Sequence, residues 1–257
     1  MKKKILNIIN KKNKVKVVCL TAYSKNMSKL LDKYCDIILI GDSLGNVIYG
    51  MKNTHSVTME MMIQHAKSVM LGIKNSLCIV DMPKNSYENN KQTLINAKKI
   101  LKKTKCHGVK IESNYKNSLL IKHLVKSGIS VMGHIGFTPQ YKKKFKIEGN
   151  TKESENKLIK EAIAIEKAGA FAIVLECITA TTSKKITKQI KIPTIGIGSS
   201  LNCDGQILVT EDMLGLSGFY PKFVKKYGNL EKLIEKYVQE YKKDVITNRF
   251  PKVSNSY

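Results

Sequence analysis

The feature that most constrains the fold is an alternation in which short β-branched runs are separated by longer stretches of helical period. The strand-like runs are VKVVCLTAY (15–23), DIILIGDS (36–43), LCIVDMP (77–83), GVKIES (108–113), VMGHIG (131–136), AIVLEC (172–177) and PTIGIG (193–198), with an eighth expected near LGLSG (214–218). They are almost continuously apolar, as strands are when helices cover both faces of a parallel sheet. Between them lie amphipathic stretches. After Thr58, a candidate N-cap, Met59, Met62, Ile63, Ala66, Val69 and Met70 share one stripe that Gly72 ends. Leu120 and Leu124 before Gly128, and Leu158, Ala162 and Ile165 before Gly169, mark two more. A last stripe of Leu230, Leu233, Ile234, Tyr237, Val238 and Tyr241 is expected to dock on the outside of the domain.

Eight such strands in 257 residues suit the (β/α)8 barrel, whose usual size is about 250 residues. No linker or low-complexity segment divides the chain, so residues 1–257 read as a single domain of the α/β class, a (β/α)8 TIM barrel with extra terminal helices. An open doubly wound sheet would place a glycine-rich phosphate loop after its first strand. Here that strand runs into TAYSKNMS, which has no glycine.

The charge needs separate treatment, because 45 Lys+Arg against 20 Asp+Glu give +25, the footprint of a nucleic-acid or anionic-membrane binder. Only one of the 45 is arginine, Arg249. An ammonium cannot reproduce the guanidinium's bidentate contacts to guanine and phosphate, so neither a nucleic-acid nor a membrane partner is expected. The lysine runs, such as 142–144, read as solvated loops. The six cysteines (Cys19, Cys35, Cys78, Cys106, Cys177, Cys203) form no C-x-x-C pair and read as small core residues of a reducing compartment. The amino terminus lacks a signal-peptide apolar region, and the longest apolar run, residues 168–175, is far short of the roughly 20 residues that span a bilayer. A soluble cytoplasmic protein is the expectation.

Chemistry enters at the strand ends. Asp42 and Ser43 follow DIILIG, Asp81 follows LCIV, Lys110 and Glu112 sit in GVKIE, His134 in VMGHIG, and Glu176 follows AIVL. In a barrel these ends share one rim, where such folds carry their active sites. Lys110 and Glu112 are two apart and share a face, leaving Val109 and Ile111 to the helix layer. Taken singly, a strand-end carboxylate is ordinarily a turn or N-cap residue, Lys110 and Glu112 an ion pair, and His134 a core histidine. His55, His65, His107 and His123 read as surface or packing residues. The cluster outweighs its members, because four carboxylates at one apolar mouth repel unless cations join them, and one lysine is too few. A Mg2+-like ion held by Asp42 and Asp81, with positions left for water and substrate, resolves this. Beside Lys110 it suits a 2-oxo acid, and polarising the keto group acidifies the neighbouring C–H, so that a base such as Glu176 can form a Mg2+-stabilised enolate.

At these residues the sequence resembles the ketopantoate hydroxymethyltransferase family. From about residue 15 to 225 it carries, in family order, TAY (21–23), GDSLG (41–45), D-x-P (81–83), VKIE (109–112), GHIGFTPQ (133–140), VLE (174–176), IGIG (195–198), DGQILV (204–209) and PKF (221–223). The resemblance implies a (β/α)8 barrel that transfers a hydroxymethyl group from 5,10-methylenetetrahydrofolate to 3-methyl-2-oxobutanoate, giving 2-dehydropantoate for pantothenate and coenzyme A synthesis. It implies Asp42 and Asp81 as ligands of Mg2+, with Glu112 completing the metal site directly or through water. Asp42, Ser43, Asp81 and Lys110 would hold the oxo acid, Glu176 would accept the proton, and His134 is a further active-site candidate. It also implies a homo-oligomer, commonly a decamer. The pattern departs from the family at Ser24, Lys84, Ser199 and Ser200 and in the 141–150 loop, none of which removes a metal ligand or the base. The runner-up is a Mg2+-dependent 2-oxo acid lyase or mutase on a related barrel.

Overall fold

A computed structural model of the chain describes residues 2–113, 117–142, 145–218 and 220–257. Lys143 and Lys144, part of the expected solvated lysine run, lie outside the described residues. Two compact units are present, residues 1–209 and 210–257.

In the first unit, the strands β1 (Val17–Thr21), β2 (Ile37–Ile40), β3 (Leu77–Asp81), β4 (Gly108–Glu112), β5 (Val131–Gly136), β6 (Ala172–Glu176), β7 (Thr194–Ile197) and β8 (Gly205–Leu208) form a closed parallel barrel in sequence order. The helices α1 (Lys2–Ile9), α2 (Lys25–Leu31), α3 (Leu44–Val47), α4 (Met59–Met70), α5 (Asn90–Thr104), α6 (Ser118–Lys126), α7 (Lys152–Lys167) and α8 (Ala180–Gln189) belong to the same unit. The stripe read after Thr58 is α4, and the Thr58 hydroxyl accepts from Met61 N at 3.2 Å. The stripes ending at Gly128 and Gly169 are α6 and α7.

Seven strands stand where the alternation puts them, and the eighth does not. It is Gly205–Leu208, which pairs with β1 from Val17↔Gly205 to Leu208↔Leu20 and closes the barrel. The LGLSG segment instead ends a short helix and turns through Gly215 and Gly218 at φ +77° and +73°, conformations that a strand cannot contain.

Two apolar layers follow from the two-residue strand period. Val17, Ile37, Leu39, Leu77, Ile79, Met132, Val174 and Ile207 fill the barrel interior, and Ile5 and Ile8 of α1 join them. Ile38, Ile40, Val80, Val109, Ile111, Ile135, Ile173 and Leu175 face the helices. Helix α1 therefore packs at the N-terminal mouth, next to the Lys11–Asp36 and Lys12–Asp204 ion pairs at 2.6 and 2.7 Å. All six cysteines are buried free thiols.

The second unit contains α9 (Thr210–Leu214) and α10 (Leu230–Ile246). Asn229 caps α10 by accepting from Lys232 N at 3.3 Å. Leu230, Leu233, Ile234, Tyr237, Val238 and Tyr241, the last apolar stripe of the sequence, all lie on α10. Among the described residues no helix is long and apolar enough to cross a membrane.

Candidate active site at the C-terminal rim

The inner face of each strand delivers its last residue to one end of the barrel. Along β3 the interior positions are Leu77, Ile79 and Asp81, and along β6 Ala172, Val174 and Glu176; the first two of each are apolar filling and the third is a carboxylate. On β4, Val109 and Ile111 face the helices, which leaves Lys110 and Glu112 inside. Register sets neighbours beside one another, with Asp81 opposite Lys110 and Glu112 opposite His134.

The side chains meet. Lys110 Nζ lies 2.8 Å from Asp81 Oδ1 and 3.4 Å from His134 Nδ1. His134 Nε2 lies 3.1 Å from Glu176 Oε2, while its Nδ1 is 3.9 Å from Glu112 Oε1, too long for a hydrogen bond. Since the ammonium can only donate, Nδ1 is the imidazole's acceptor and Nε2 carries the proton that faces Glu176. Asp81 Oδ2 accepts from Asp42 N at 3.1 Å, which couples the turn after β2 to the end of β3. Gly41 leaves room for the Ser43 hydroxyl, because a Cβ there would stand 2.8 Å from Ser43 Oγ. Ser43 precedes α3 but makes no side-chain cap; its hydroxyl shares a hydrogen bond of 2.8 Å with Tyr23 Oη instead. Asp42, Ser43, Asp81, Lys110, Glu112, His134 and Glu176 are thus gathered at one rim.

Burial governs the charges. It raises Asp42 to about 7, with the charge of Asp81 adding to the rise and Lys110 and Gln140 opposing it. Glu176 rises to about 8, again by burial, with Lys110 opposing. Glu112 stands well above the carboxylate range through burial and the neighbouring Asp42. His134 is held neutral by burial and by Lys110. Burial would lower Lys110, but Asp81, Asp42 and Glu112 outweigh it and hold the ammonium charged. One lysine does not offset the mutual repulsion of these carboxylates, and Asp42, Glu112 and Glu176 are held toward their neutral forms.

Two residues that sequence reasoning passed over complete the floor. Gln140, 1% exposed, donates from Nε2 to Asp42 Oδ2 at 2.8 Å and to Met82 O at 3.0 Å, while its backbone N donates to Glu112 Oε2 at 3.0 Å. The buried Tyr87 hydroxyl donates to Gln140 Oε1. Gln140 ends the GHIGFTPQ segment, so its position was visible in the sequence, but a loop amide carries no signal of what it will reach.

The donor chemistry fits a divalent cation. Asp42, Asp81 and Glu112 supply only carboxylate oxygens, the set a hard ion prefers. Among the described residues, four buried side-chain N or O atoms lack an aligned hydrogen-bond partner, and Thr54 Oγ1, Asp81 Oδ1 and His134 Nε2 are three of them. The described residues contain no group of three or more His, Cys, Asp or Glu side chains arranged to hold a metal alone. Two protein carboxylates with water and substrate oxygens are therefore a better match than an all-protein cage. A cavity of about 320 Å³ opens at the N-terminal end of the barrel. Its charged groups are engaged, Lys11 with Asp36 and Lys4 with the carbonyls of Lys74 and Ser76.

The model of the family described as ketopantoate hydroxymethyltransferase matches residues 2–253. The chain belongs to the ketopantoate hydroxymethyltransferase family. A 3-methyl-2-oxobutanoate hydroxymethyltransferase of Pelagibacter ubique is 50% identical over 257 residues, covering 100% of both chains. The enzyme of that name from Hyphomonas neptunium is 45% identical, covering 100% of this chain and 94% of its own. As a ketopantoate hydroxymethyltransferase family member the chain is a one-carbon transferase. Its fold is shared more widely. A phosphoenolpyruvate phosphomutase from Streptomyces platensis aligns with TM-score 0.65 at 10% identity, over 96% of this chain and 88% of that one. A phosphonopyruvate hydrolase solved with oxalate and Mg2+ aligns with TM-score 0.64 at 11% identity, over 98% and 93%.

Proposed function

We propose that the chain transfers a hydroxymethyl group from 5,10-methylenetetrahydrofolate to 3-methyl-2-oxobutanoate, giving 2-dehydropantoate for pantothenate and coenzyme A synthesis. The observation that carries this reading is the rim cluster, in which a lysine, a neutral histidine, three buried carboxylates and the partly buried Glu176 converge within a chain of this family. Asp42 and Asp81 would hold Mg2+, with Glu112 acting directly or through water. When bound, that ion supplies Lewis-acid polarisation of the keto group and offsets the negative charge that develops beside it.

The chain's own groups do the rest. Lys110 stays charged and pairs with the substrate carboxylate or keto oxygen, and Ser43, placed by Tyr23, adds a hydroxyl beside it. Glu176 accepts the proton from C3 of the oxo acid at a carboxylate oxygen. His134 Nε2 stands 3.1 Å from that carboxylate, close enough to align with it once substrate is bound. Water releases the methylene carbon of the folate as formaldehyde, both of its C–N bonds breaking and both nitrogens ending as N–H. The electron pair left on C3 attacks that carbonyl carbon, and the carbonyl oxygen takes a proton to become the new hydroxyl. The whole chain, residues 1–257, is read as one catalytic module that works in the cytoplasm as a homo-oligomer.

The test follows the C3 proton of 3-methyl-2-oxobutanoate into deuterated water with Mg2+, then product formation once the folate is added. Exchange followed by folate-dependent product is expected. Exchange without product would favour the 2-oxo acid lyase or mutase. No exchange would sink both readings.

A further inference from the structure

We propose that Gln140 is a positioning residue that limits how Asp42 and Glu112 can meet a divalent cation, and so sets which cation the site prefers. The inference rests on the metal-assisted reading above and concerns a residue that reading leaves without a role.

The orientation of the amide is fixed by its neighbours. The Tyr87 phenol sits among buried groups that push its pKa far up, burial first and then Glu112, so it keeps its proton and donates. An amide nitrogen cannot accept that proton, so Oε1 faces Tyr87 and Nε2 faces the carboxylate. The two Nε2 hydrogens are then spent on Asp42 Oδ2 at 2.8 Å and Met82 O at 3.0 Å. The same residue's backbone N–H is spent on Glu112 Oε2 at 3.0 Å. One residue thereby joins the turn after β2, the turn after β3 and the end of β4, and it occupies one oxygen on each of two carboxylates. Asp81 is treated alike by the backbone, since its Oδ2 accepts from Asp42 N.

A carboxylate with one oxygen tied offers the other to a metal and is a poor bidentate ligand. Magnesium is small and wants near-octahedral single-oxygen donors, whereas calcium takes six to eight oxygens and accepts bidentate carboxylates readily. Tying Asp42 and Glu112 is thus a discrimination against the larger ion as much as support for the smaller one. It also explains why a fully buried amide stands among carboxylates whose mutual repulsion one lysine does not cancel.

The experiment uses the full-length chain and measures Mg2+ and Ca2+ affinities by calorimetry for the wild type, Gln140→Met and Tyr87→Phe. Methionine keeps the volume and loses the donors; phenylalanine keeps the ring and loses only the hydroxyl that fixes the amide. Thermal midpoints are recorded alongside, so that a misfolded variant is recognised and the other one decides. The expected result is a Mg2+/Ca2+ affinity ratio at least tenfold smaller for Gln140→Met, with a smaller fall of the same sign for Tyr87→Phe. A ratio unchanged within twofold in a folded variant overturns the positioning role while the metal-assisted reading stands. A wild-type chain that binds neither ion overturns that reading itself.

Discussion

Glu176 and Lys110 stand 3.1 and 3.4 Å from opposite nitrogens of the same imidazole, and they make different predictions. Glu176→Gln keeps the shape and the contact with His134 but removes the proton acceptor. C3 exchange should fall by about 10³-fold or more, while binding of the oxo acid, read by calorimetry, stays within about fivefold. Retained exchange would mean that another base operates. Lys110→Met removes the cation that faces Asp81 Oδ1 at 2.8 Å and leaves a buried carboxylate uncompensated. Breaking a buried pair costs about 3–5 kcal/mol, so Lys110→Met should lose oxo acid affinity and lower the thermal midpoint together. A midpoint unchanged from wild type would contradict the placement of Lys110 in this cluster. At this scale the strand-end residues were legible because they close apolar runs of period two. Gln140 and Tyr87 were not, because both lie on loops whose path depends on tertiary packing. Ser43 was legible by position, but its partner Tyr23 comes from a different strand end.

Among the elements, the base of the barrel is held by charges that the chemistry does not use. Burial would raise Asp204, but hydrogen bonds from Lys12, Thr194 and Asn13 hold it below the ordinary carboxylate value. Because the folded value is depressed, its stabilisation is present above the unfolded pKa of about 3.9 and is lost as pH falls through the folded value. Asp204→Asn should therefore cost about 2–3 kcal/mol at neutral pH, with the difference from wild type shrinking below about pH 4. Equilibrium denaturation at the two pH values checks this; a gap that widened in acid would refute it. Asp204 also shows why the eighth strand escaped the periodicity. The strand Gly205–Leu208 is four residues long, begins on a glycine and has Gln206 facing out, so it lacks the β-branched run that marks the other seven. What places it is the Asp204 carboxylate bound to Thr194 and the pairing with β1, neither of which is local in sequence.

For the whole molecule, the lysine-rich composition and the proposed homo-oligomer call for separate tests. The formal charge of +25 comes almost wholly from lysine, so duplex DNA should bind weakly, without sequence preference, and fall away steeply with salt. Sequence-selective binding at physiological salt would overturn that assignment. The homo-oligomer proposed from the family resemblance is tested through the apolar stripe of α10. Light scattering should give a mass well above 28.9 kDa, and Tyr237→Glu with Val238→Glu should reduce it; a wild-type monomer would contradict the homo-oligomer reading. The barrel class was legible from the alternation and the length, and the rim from where polar residues interrupt it. The folate donor was reached only through the family resemblance, because no residue pattern at the rim encodes it. The central claim is that this rim enolises 3-methyl-2-oxobutanoate and passes the carbon nucleophile to a one-carbon donor. The most direct measurement is proton NMR of the C3 position in deuterated water with Mg2+, before and after 5,10-methylenetetrahydrofolate is added. The account predicts exchange without the folate and 2-dehydropantoate with it; a C3 proton that persists through both stages would contradict it.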